Sequence, residues 1–238
     1  MLLVIPMAGR GSRFSNVGYA TPKPLIEVSG KPMIHHAFKS VADIDYRKVV
    51  FIALKEHEEE YRVSNLLKKE VVEDFELILL DEVTEGQLCT VLTASSFFKP
   101  NESILIAASD SYIKSNIAEE LKTTEADGLI SVIDLPGEQW SFAKTNEQGK
   151  VIEVAEKNRI SNHASTGIYY FSDSMLFEQE AKKMIANKET TRGEYYVMPL
   201  YNKWIQSGKT ILLSHAQEMW DMGTPEAKQK FEQYLKYS

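Results

Sequence analysis

The stretch that decides the fold is MLLVIPMAGRGSRF at residues 1–14, followed by PKPLIEVSGKPMI at 22–34. The apolar run 2–6 predicts a buried first strand. The glycine-rich segment after it predicts a loop at the carboxyl end of that strand. Ligands of open α/β sheets bind at this end of the strands. The opening segment therefore predicts a ligand-binding loop on an α/β sheet.

The side chains of this loop favour a phosphate ligand. Gly9 and Gly11 carry no side chains, so backbone amides can approach a phosphate closely. Arg13 and Lys23 place two cations beyond the same strand, where a triphosphate would lie. The pattern is equally compatible with a glycine turn that carries solvated surface charges, because short glycine motifs recur by chance.

Two other phosphate-binding loops fit the sequence poorly. A dinucleotide fingerprint needs a third small residue where Phe14 stands, and an acidic residue where the second strand ends at Leu54 and Lys55. A Walker loop needs Ser or Thr after its lysine, whereas Lys31 is followed by Pro32. Neither alternative is favoured.

Apolar, strand-like runs alternate with helix-like segments through the first half of the chain. Strands are predicted at 2–6, 49–54, 75–80 and 103–109, and helices at 31–43, 55–70 and 86–98. Short apolar strands separated by helices imply a parallel sheet covered on both faces. Residues 146–149 predict a hairpin turn in a middle region of closely spaced strands, at 127–134, 140–145, 150–156 and 165–171.

Both helices and strands are predicted toward the end of the chain. Helices are predicted near 173–187 and 194–207, and strands at 210–214 and 218–221. The last helix is expected to be capped by Thr224, with Pro225 at its first position. The predicted fold class is therefore α/β: a mixed, mostly parallel sheet flanked by helices, with a β-rich insertion.

Composition excludes several classes of partner. The 238 residues carry a net charge of −7, with 43% hydrophobic and 26% charged residues. These shares are ordinary for a soluble globular protein, and the acidic balance disfavours binding to nucleic acid or anionic membranes. No apolar run approaches the roughly 20 residues that span a bilayer, and the start lacks a signal peptide's basic flank. We expect a cytoplasmic protein, with Cys89 packed in a helix rather than acting as a nucleophile.

Further segments follow the first loop in a fixed order. They are TEGQLCTVLTA (84–94), ASDSYI (108–113), VIEVAEKNRI (151–160), STGIYYF (165–171), GEYYVMPLYNKWIQSGK (193–209) and MWDMGTPE (219–226). With the first loop they resemble the signature of the sugar-phosphate nucleotidylyltransferases, which include glucose-1-phosphate thymidylyl- and uridylyltransferases and mannose-1-phosphate guanylyltransferase. The resemblance covers essentially the whole chain.

The resemblance implies an enzyme with a Rossmann-like nucleotide core. It would condense a nucleoside triphosphate with a sugar 1-phosphate, use Mg²⁺ and release pyrophosphate. It implies one domain over 1–238, with a core at about 1–135 and 208–238 and an acceptor-side region at about 136–207. It implies catalytic roles for Arg13 and Lys23, metal ligation by Asp110 and Asp221, nucleotide binding by Ala8, Gly9, Gly11, Ser12, Gly86 and Ser109, and acceptor binding by Glu156, Lys157, Thr166, Gly167 and Glu194.

Each assigned residue also has a plain structural interpretation. Asp110 ends an apolar strand and is either a turn residue or a metal ligand. Asp221 precedes a helix, where aspartate often caps. Together, two carboxylates and phosphate oxygens suit the hard, octahedral Mg²⁺ ion. Lys157 is also compatible with a surface pair to a neighbouring glutamate, and Glu194 with a first-turn helix acid.

The sequence departs from the family pattern at both substrate pockets. Asp81 stands near the family's base-contacting glutamine, and Asn158 replaces the proline of Glu-Lys-Pro. Leu200 and Tyr201 stand where the family often has an acidic residue. Tyr195, Tyr196 and Tyr201 are expected to pack, with one of them a candidate for lining the acceptor pocket.

These departures leave alternatives open. The short form, without a hexapeptide-repeat left-handed helix, resembles members found in capsule and lipopolysaccharide clusters. It also resembles cytidylyltransferases that use CTP and phosphocholine or another non-sugar phosphate. A third hypothesis is a non-catalytic nucleotide-binding module that keeps the fold. The family is often dimeric or tetrameric, so a homo-oligomer is a further expectation.

Overall fold

The computed structural model describes residues 1–237. The strands are β1 (Leu2–Pro6), β2 (Glu27–Val28), β3 (Lys31–Pro32), β4 (Lys48–Leu54), β5 (Glu76–Leu80), β6 (Ile104–Ala107), β7 (Ser111–Lys114), β8 (Gly128–Asp134), β9 (Ser141–Thr145), β10 (Val151–Glu156), β11 (His163–Phe171), β12 (Ile211–His215) and β13 (Glu218–Asp221). The helices are α1 (Ser12–Ser15), α2 (Met33–Lys39), α3 (Lys55–Tyr61), α4 (Val63–Glu70), α5 (Gln87–Leu92), α6 (Ile117–Thr123), α7 (Ser174–Ala186), α8 (Leu200–Gln206) and α9 (Pro225–Tyr237). Short 3-10 turns occur at Lys23–Leu25 and Ser95–Phe97.

The main sheet is built around β1. The strands lie in the order β10-β9-β11-β6-β1-β4-β5, and β8 joins β11 to β12. β1 pairs in parallel with both β4 and β6, and β5 continues this parallel half next to β4. Leu2, Leu3 and Val4 are fully buried, as expected for a central strand that is covered on both faces. The predicted α/β class and parallel core are confirmed.

The long strand β11 connects the parallel half to the antiparallel half. Its last residues, from Ile168, pair with β6, whereas His163 and Ala164 pair with β9, all antiparallel. The register against β8 shifts between Ser165 and Tyr169. Within this irregular stretch Gly167 has φ 89°, and a Cβ there would lie 2.8 Å from the Ala108 Cβ. The predicted β-rich insertion is thus continuous with the central sheet.

The core has two parts, one on each face of the sheet. Leu2 and Val4 belong to one cluster of buried side chains, whereas Leu3 and Ile5 belong to the other. This alternation follows from the two-residue period of a strand. Trp204 and the aromatic residues around it anchor the first cluster.

Several predicted helices are shorter in the structure. The helix predicted from 31 begins at Met33, because Lys31 and Pro32 form β3. The charged segment splits into α3 and α4 at Arg62, whose φ is 53°. The helix predicted over 194–207 is restricted to α8, after Pro199. No helix within residues 1–237 is both long and apolar enough to cross a bilayer.

The chain end and the middle turn match their predictions. Thr224 Oγ1 accepts a hydrogen bond from the Ala227 amide at 3.1 Å, which caps α9, and α9 begins at Pro225. Asn146 accepts hydrogen bonds through Oδ1 from the Gln148 and Lys150 amides and closes the β9–β10 hairpin. Both the helix cap and the hairpin turn are confirmed.

Candidate active site

A cleft of about 670 Å³ opens at the carboxyl ends of β1 and β6. Its walls come from five segments that are separate in sequence. The lining residues are Pro6, Met7, Ala8, Gly9, Arg10, Gly11, Ser12, Lys23, Pro24, Val83, Thr84, Glu85, Gly86, Gln87, Thr90, Ala108, Ser109, Asp110, Gly193, Glu194 and Tyr196. All six residues assigned to nucleotide binding are among them. The remaining cleft residues include Lys23, Asp110 and Glu194 of the other assigned sets.

The first loop has two glycines with different surroundings. A Cβ on Gly9 would meet nothing within 4 Å, so the backbone there is open to the cleft. Gly11 adopts φ 60°, and a Cβ there would lie 3.0 Å from the Lys23 Cβ. Gly11 therefore permits the close approach of the Lys23 segment to the loop.

Lys23 and Asp110 form an ion pair in the wall of the cleft. The Lys23 Nζ donates to Asp110 Oδ2 at 2.6 Å, and each side chain is 24% exposed. Burial acts to raise the pKa of Asp110. The adjacent Lys23 ammonium, and then Arg13, outweigh burial and hold that pKa below its ordinary value. Asp110 is therefore an anion at neutral pH.

Asp221 and Arg13 meet Asp110 around Gly223. A Cβ added to Gly223 would lie 2.9 Å from Asp221 Oδ1, 3.4 Å from Asp110 Oδ2 and 3.7 Å from Arg13 Nη1. The antiparallel pairing of β7 with β13 aligns Asp221 with Ser111, the residue after Asp110. The two basic and two acidic groups singled out in the sequence thus converge on one point.

The two carboxylates have different protonation tendencies. Burial, followed by repulsion from Asp110, raises the pKa of Asp221, and a hydrogen bond from the Gly223 amide opposes the rise. Two carboxylates forced together favour a shared cation, which relieves their repulsion. Their oxygen atoms are the donors that Mg²⁺ prefers, and phosphate oxygens would complete its shell. Within residues 1–237 no group of three or more Asp, Glu, His or Cys forms a closed metal site.

The loop at 83–87 is held by backbone contacts to the segment after Gly193. The Tyr195 amide donates to the Glu85 carbonyl, and the Leu88 amide donates to the Tyr195 carbonyl, both at 3.0 Å. Gly86 has φ 144°, and a Cβ there would lie 2.5 Å from the Tyr195 carbonyl oxygen. Only glycine fits this contact, so Gly86 joins the two walls of the cleft.

A tight turn presents Glu194 to the cleft. Thr191 and Glu194 exchange two backbone hydrogen bonds, and the residues between them, Arg192 and Gly193, both have positive φ, 52° and 83°. These values fit a type I′ turn. Tyr196 then donates its hydroxyl to Glu194 Oε2 at 2.5 Å.

Lys157 reaches the same tyrosine from the end of β10. Its Nζ donates to the Tyr196 hydroxyl oxygen and lies 4.2 Å from the centre of the Tyr196 ring. Burial, followed by the hydrogen bond to Glu194 and its charge, raises the pKa of Tyr196. Tyr196 is therefore a neutral phenol at physiological pH, and it links the lysine to the glutamate.

The remaining acceptor-side residues lie beyond the cleft wall. Glu156 accepts a hydrogen bond from Ser141, and burial raises the pKa of Glu156. Thr166 is 1% exposed and donates to Ser131 Oγ at 2.8 Å, so its side chain is packed in the sheet. Gly167 accepts a backbone hydrogen bond from Ala108 at 3.0 Å. Gly167 thereby sets the position of the strand end that precedes Ser109.

One residue of the site, Gly223, was not predicted from the sequence, and a second, Tyr196, was not separated there from two other tyrosines. Gly223 carries no charge, and its place in the site is evident only from the charged side chains that surround it. Tyr196 was one of three candidate tyrosines, and the structure separates them: Tyr195 and Tyr201 are buried in the core, whereas Tyr196 lines the cleft. The signal available in the sequence was the spacing of two residues between Glu194 and Tyr196. Neighbouring residues of an extended segment point to opposite sides, so residues two apart point to the same side.

Known proteins are similar to this chain over most of its length. The UTP–glucose-1-phosphate uridylyltransferase of Haloferax volcanii is 25% identical over 99% of this chain and 96% of its own length. The mannose-1-phosphate guanylyltransferase catalytic subunit beta of Drosophila melanogaster is 27% identical over 87% of this chain, which spans 59% of that relative's length. A solved nucleoside-diphosphate-sugar pyrophosphorylase from Vibrio cholerae superposes with a TM-score of 0.83 at 30% identity, covering 97% of this chain and 99% of the other.

The match to a family is nearly complete in length. The family described as nucleotidyl transferase matches residues 3–235, which include the first loop, Asp110 and Asp221. Chance similarity in one motif cannot produce an ordered match from the first strand to the last helix. This chain belongs to the nucleotidyl transferase family.

Proposed function

We propose that this chain condenses a nucleoside triphosphate with a sugar 1-phosphate to give a nucleotide-sugar and pyrophosphate. The observation that carries the proposal is the convergence of Arg13, Lys23, Asp110 and Asp221 beside one cleft, whose wall includes Lys23 and Asp110. The names of the relatives support a sugar-phosphate acceptor, since they include uridylyl- and guanylyltransferases of sugar 1-phosphates.

The reaction is an in-line displacement at phosphorus. An oxygen of the acceptor phosphate forms a bond to the α-phosphorus, and the bond from that phosphorus to the bridging oxygen of pyrophosphate breaks. The electron pair leaves with pyrophosphate. Positioning and charge neutralisation supply most of the catalysis in such transfers, because the protein itself forms no covalent bond.

The basic side chains stabilise charge in this step. Arg13 lies beside both carboxylates and stabilises charge that builds on the α-phosphate and on leaving pyrophosphate. Lys23 holds the two phosphates together at the base of the first loop. The amides of Ala8, Gly9, Gly11 and Ser12 bind the triphosphate, and Gly86 and Ser109 contribute to nucleotide binding.

The carboxylates would hold a divalent cation. Asp110 and Asp221 fit Mg²⁺ through the chemistry and proximity of their oxygens. When bound, the ion supplies charge neutralisation to phosphate oxygens of both substrates. Asp110 would serve both the cation and Lys23, whose ammonium group already contacts Asp110 Oδ2 and would face the phosphates at the base of the first loop.

The acceptor lies on the side of the cleft that Glu194 and Tyr196 form. Lys157 offsets the repulsion between the two anionic substrates, and Glu194 accepts hydrogen bonds from acceptor hydroxyls. Glu156, Thr166 and Gly167 complete this acceptor-side region, at about 136–207, within a single domain. The proposal extends to a cytoplasmic enzyme that supplies surface polysaccharide synthesis, active as a monomer or homo-oligomer.

One assay tests the proposal. Purified protein with Mg²⁺ is given each of the four nucleoside triphosphates and a panel of phosphorylated acceptors, and pyrophosphate release is measured. We expect release with a sugar 1-phosphate and at least one triphosphate. Release confined to CTP and a non-sugar phosphate such as phosphocholine would establish the alternative that the relatives do not favour. No release with any pair would leave a nucleotide-binding module.

A further inference from the structure

We propose that Tyr196 is a positioning residue that fixes the spacing between Lys157 and Glu194, and so selects an acceptor with a hydroxyl near its phosphate. This inference rests on the proposed function. Its basis is the unbroken set of contacts from the lysine, through the phenol, to the carboxylate.

The Tyr196 hydroxyl group makes two hydrogen bonds, one as an acceptor and one as a donor. It accepts from the Lys157 ammonium and donates to Glu194 Oε2 at 2.5 Å. This polarity is fixed, because an ammonium can only donate and an ionised carboxylate can only accept. Both hydrogen bonds involve a charged partner and are stronger than neutral ones. The phenol therefore holds both ends in one geometry.

The ring adds a second restraint on the lysine. The Lys157 Nζ lies 4.2 Å from the ring centre, within range of a cation–π contact. A flexible four-carbon side chain otherwise samples many rotamers, and ordering it costs entropy when a ligand binds. Holding Lys157 before binding removes part of that cost from the acceptor's affinity.

The backbone places this tyrosine rigidly. The I′ turn at Arg192 and Gly193 fixes the start of the segment, and Tyr195 is hydrogen-bonded on both sides to the loop at 85–88. Tyr196 follows directly and lines the same cleft as Lys23 and Asp110. The spacing of Lys157 and Glu194 is thereby tied to the nucleotide side of the cleft.

The acceptor that fits is a phosphorylated polyol or sugar. Lys157 supplies the cation for its phosphate, and Glu194 supplies an acceptor for a donated hydroxyl proton. A choline phosphate offers a quaternary ammonium and no hydroxyl to Glu194. Because the partners of the Tyr196 hydroxyl, Lys157 and Glu194, both face the acceptor, we expect Tyr196 to affect acceptor binding more than triphosphate binding.

The test is Tyr196→Phe, which deletes the hydroxyl and keeps the ring. We expect the KM for the sugar 1-phosphate to rise about tenfold, as for loss of charge-assisted hydrogen bonds. The KM for the triphosphate and kcat should change less than about twofold. Tyr196→Leu removes the ring as well, so the acceptor KM should rise further.

Tyr201→Phe is the matched control. Tyr201 also makes two hydrogen bonds through its hydroxyl, to the Leu129 and Tyr170 carbonyl oxygens, but it is buried away from the cleft. It should lower the melting temperature and leave both KM values unchanged. A wild-type enzyme that is inactive with every acceptor overturns the proposed function and this inference together. An active wild type with unchanged acceptor KM in Tyr196→Phe, or equal changes for both substrates, overturns this inference alone.

Discussion

Asp110 lies close to the other three groups on which the proposed chemistry depends. It is bonded to Lys23, lies beside Arg13 and shares the surroundings of Gly223 with Asp221. A carboxylate at the end of a buried strand is fixed by the strand, so its partners can be placed around it. Individual side chains in this cluster can therefore be tested without disturbing the fold.

Arg13→Ala should lower turnover by about two to three orders of magnitude, because a preorganised donor is worth about 3–4 kcal/mol in the transition state. Arg13 is exposed and outside the core, so the fold should persist. The measurement is kcat for pyrophosphate release, with a thermal melt of each protein. Lys230→Ala removes one exposed cation elsewhere and controls for net charge. A folded Arg13→Ala with normal turnover would contradict the assigned role.

Gly223→Ala should specifically weaken the apparent affinity of the enzyme for Mg²⁺. The new methyl would lie 2.9 Å from Asp221 Oδ1 and 3.4 Å from Asp110 Oδ2, within the space a cation needs. The backbone of Gly223 is outside the left-handed region, so alanine introduces no φ strain. We expect the Mg²⁺ concentration for half-maximal rate to rise at least about tenfold.

Gly208→Ala is the control for this glycine substitution. Gly208 has φ 83° and open space around it, so alanine should cost about 1 kcal/mol of stability through backbone strain alone. Its Mg²⁺ titration should match wild type. Equal titrations for the Gly223 and Gly208 variants would show that the two carboxylates do not hold the activating ion.

At the scale of elements, the amino ends of three parallel strands are fastened together. Arg47, just before β4, donates through Nε and Nη2 to both carboxylate oxygens of Glu102, just before β6, at 2.6 and 2.9 Å. The amino terminus, before β1, lies 3.8 Å from the same carboxylate. This end of the sheet is opposite the cleft, so the pair contributes to stability rather than to chemistry.

Glu102→Gln should lower the free energy of unfolding by about 1–2 kcal/mol at pH 7. The hydrogen bond from Arg47 holds the pKa of Glu102 below its ordinary value of 4.5. A lowered folded-state pKa contributes stability above that ordinary value, and the contribution is lost as the pH falls through the folded-state pKa. The difference between variant and wild type should therefore shrink in strong acid, as urea unfolding at several pH values would measure.

An exposed pair provides the comparison. Glu119 and Lys122 are bonded at 2.7 Å on α6, with side chains 74% and 53% exposed. Glu119→Gln should change stability by less than about 0.5 kcal/mol at any pH. If both variants lose the same free energy, the position of Glu102 at the strand ends gives no added stability.

At the scale of the whole molecule, strand pairing joins the predicted acceptor-side region to the core. β11 lies within the predicted acceptor-side region and also pairs with β6 of the core. The two parts of the chain therefore share one sheet, and unfolding of one exposes the other. We therefore expect the whole chain to unfold in one cooperative transition.

Single-tryptophan proteins can test that prediction. Trp204 belongs to one buried cluster and Trp220 packs against the other. Proteins that keep only one of them, with the others changed to Phe, should unfold in urea at the same midpoint by fluorescence and by circular dichroism. Separate midpoints for the two probes would divide the chain into two units.

Local patterns predicted the strands that form the parallel core. Runs such as 2–6 and 49–54 are apolar without interruption, which is the direct signature of a strand buried on both faces. The pairing of β7 with β13 was not predicted, because its partners are at least 104 residues apart and short, half-exposed strands give weak signals. The same separation explains why the meeting of Asp110 with Asp221 rested on resemblance.

The contact between Gly86 and the Tyr195 backbone has a practical consequence for enzyme engineering. If the loop at 83–87 of a relative were transplanted into this chain, it would lose the Tyr195 backbone against which it packs. Successful chimaeras must carry the 191–196 strip from the same donor, with glycine kept at 86. We therefore expect base preference and acceptor preference to transfer only when segments 83–87 and 191–196 are exchanged together.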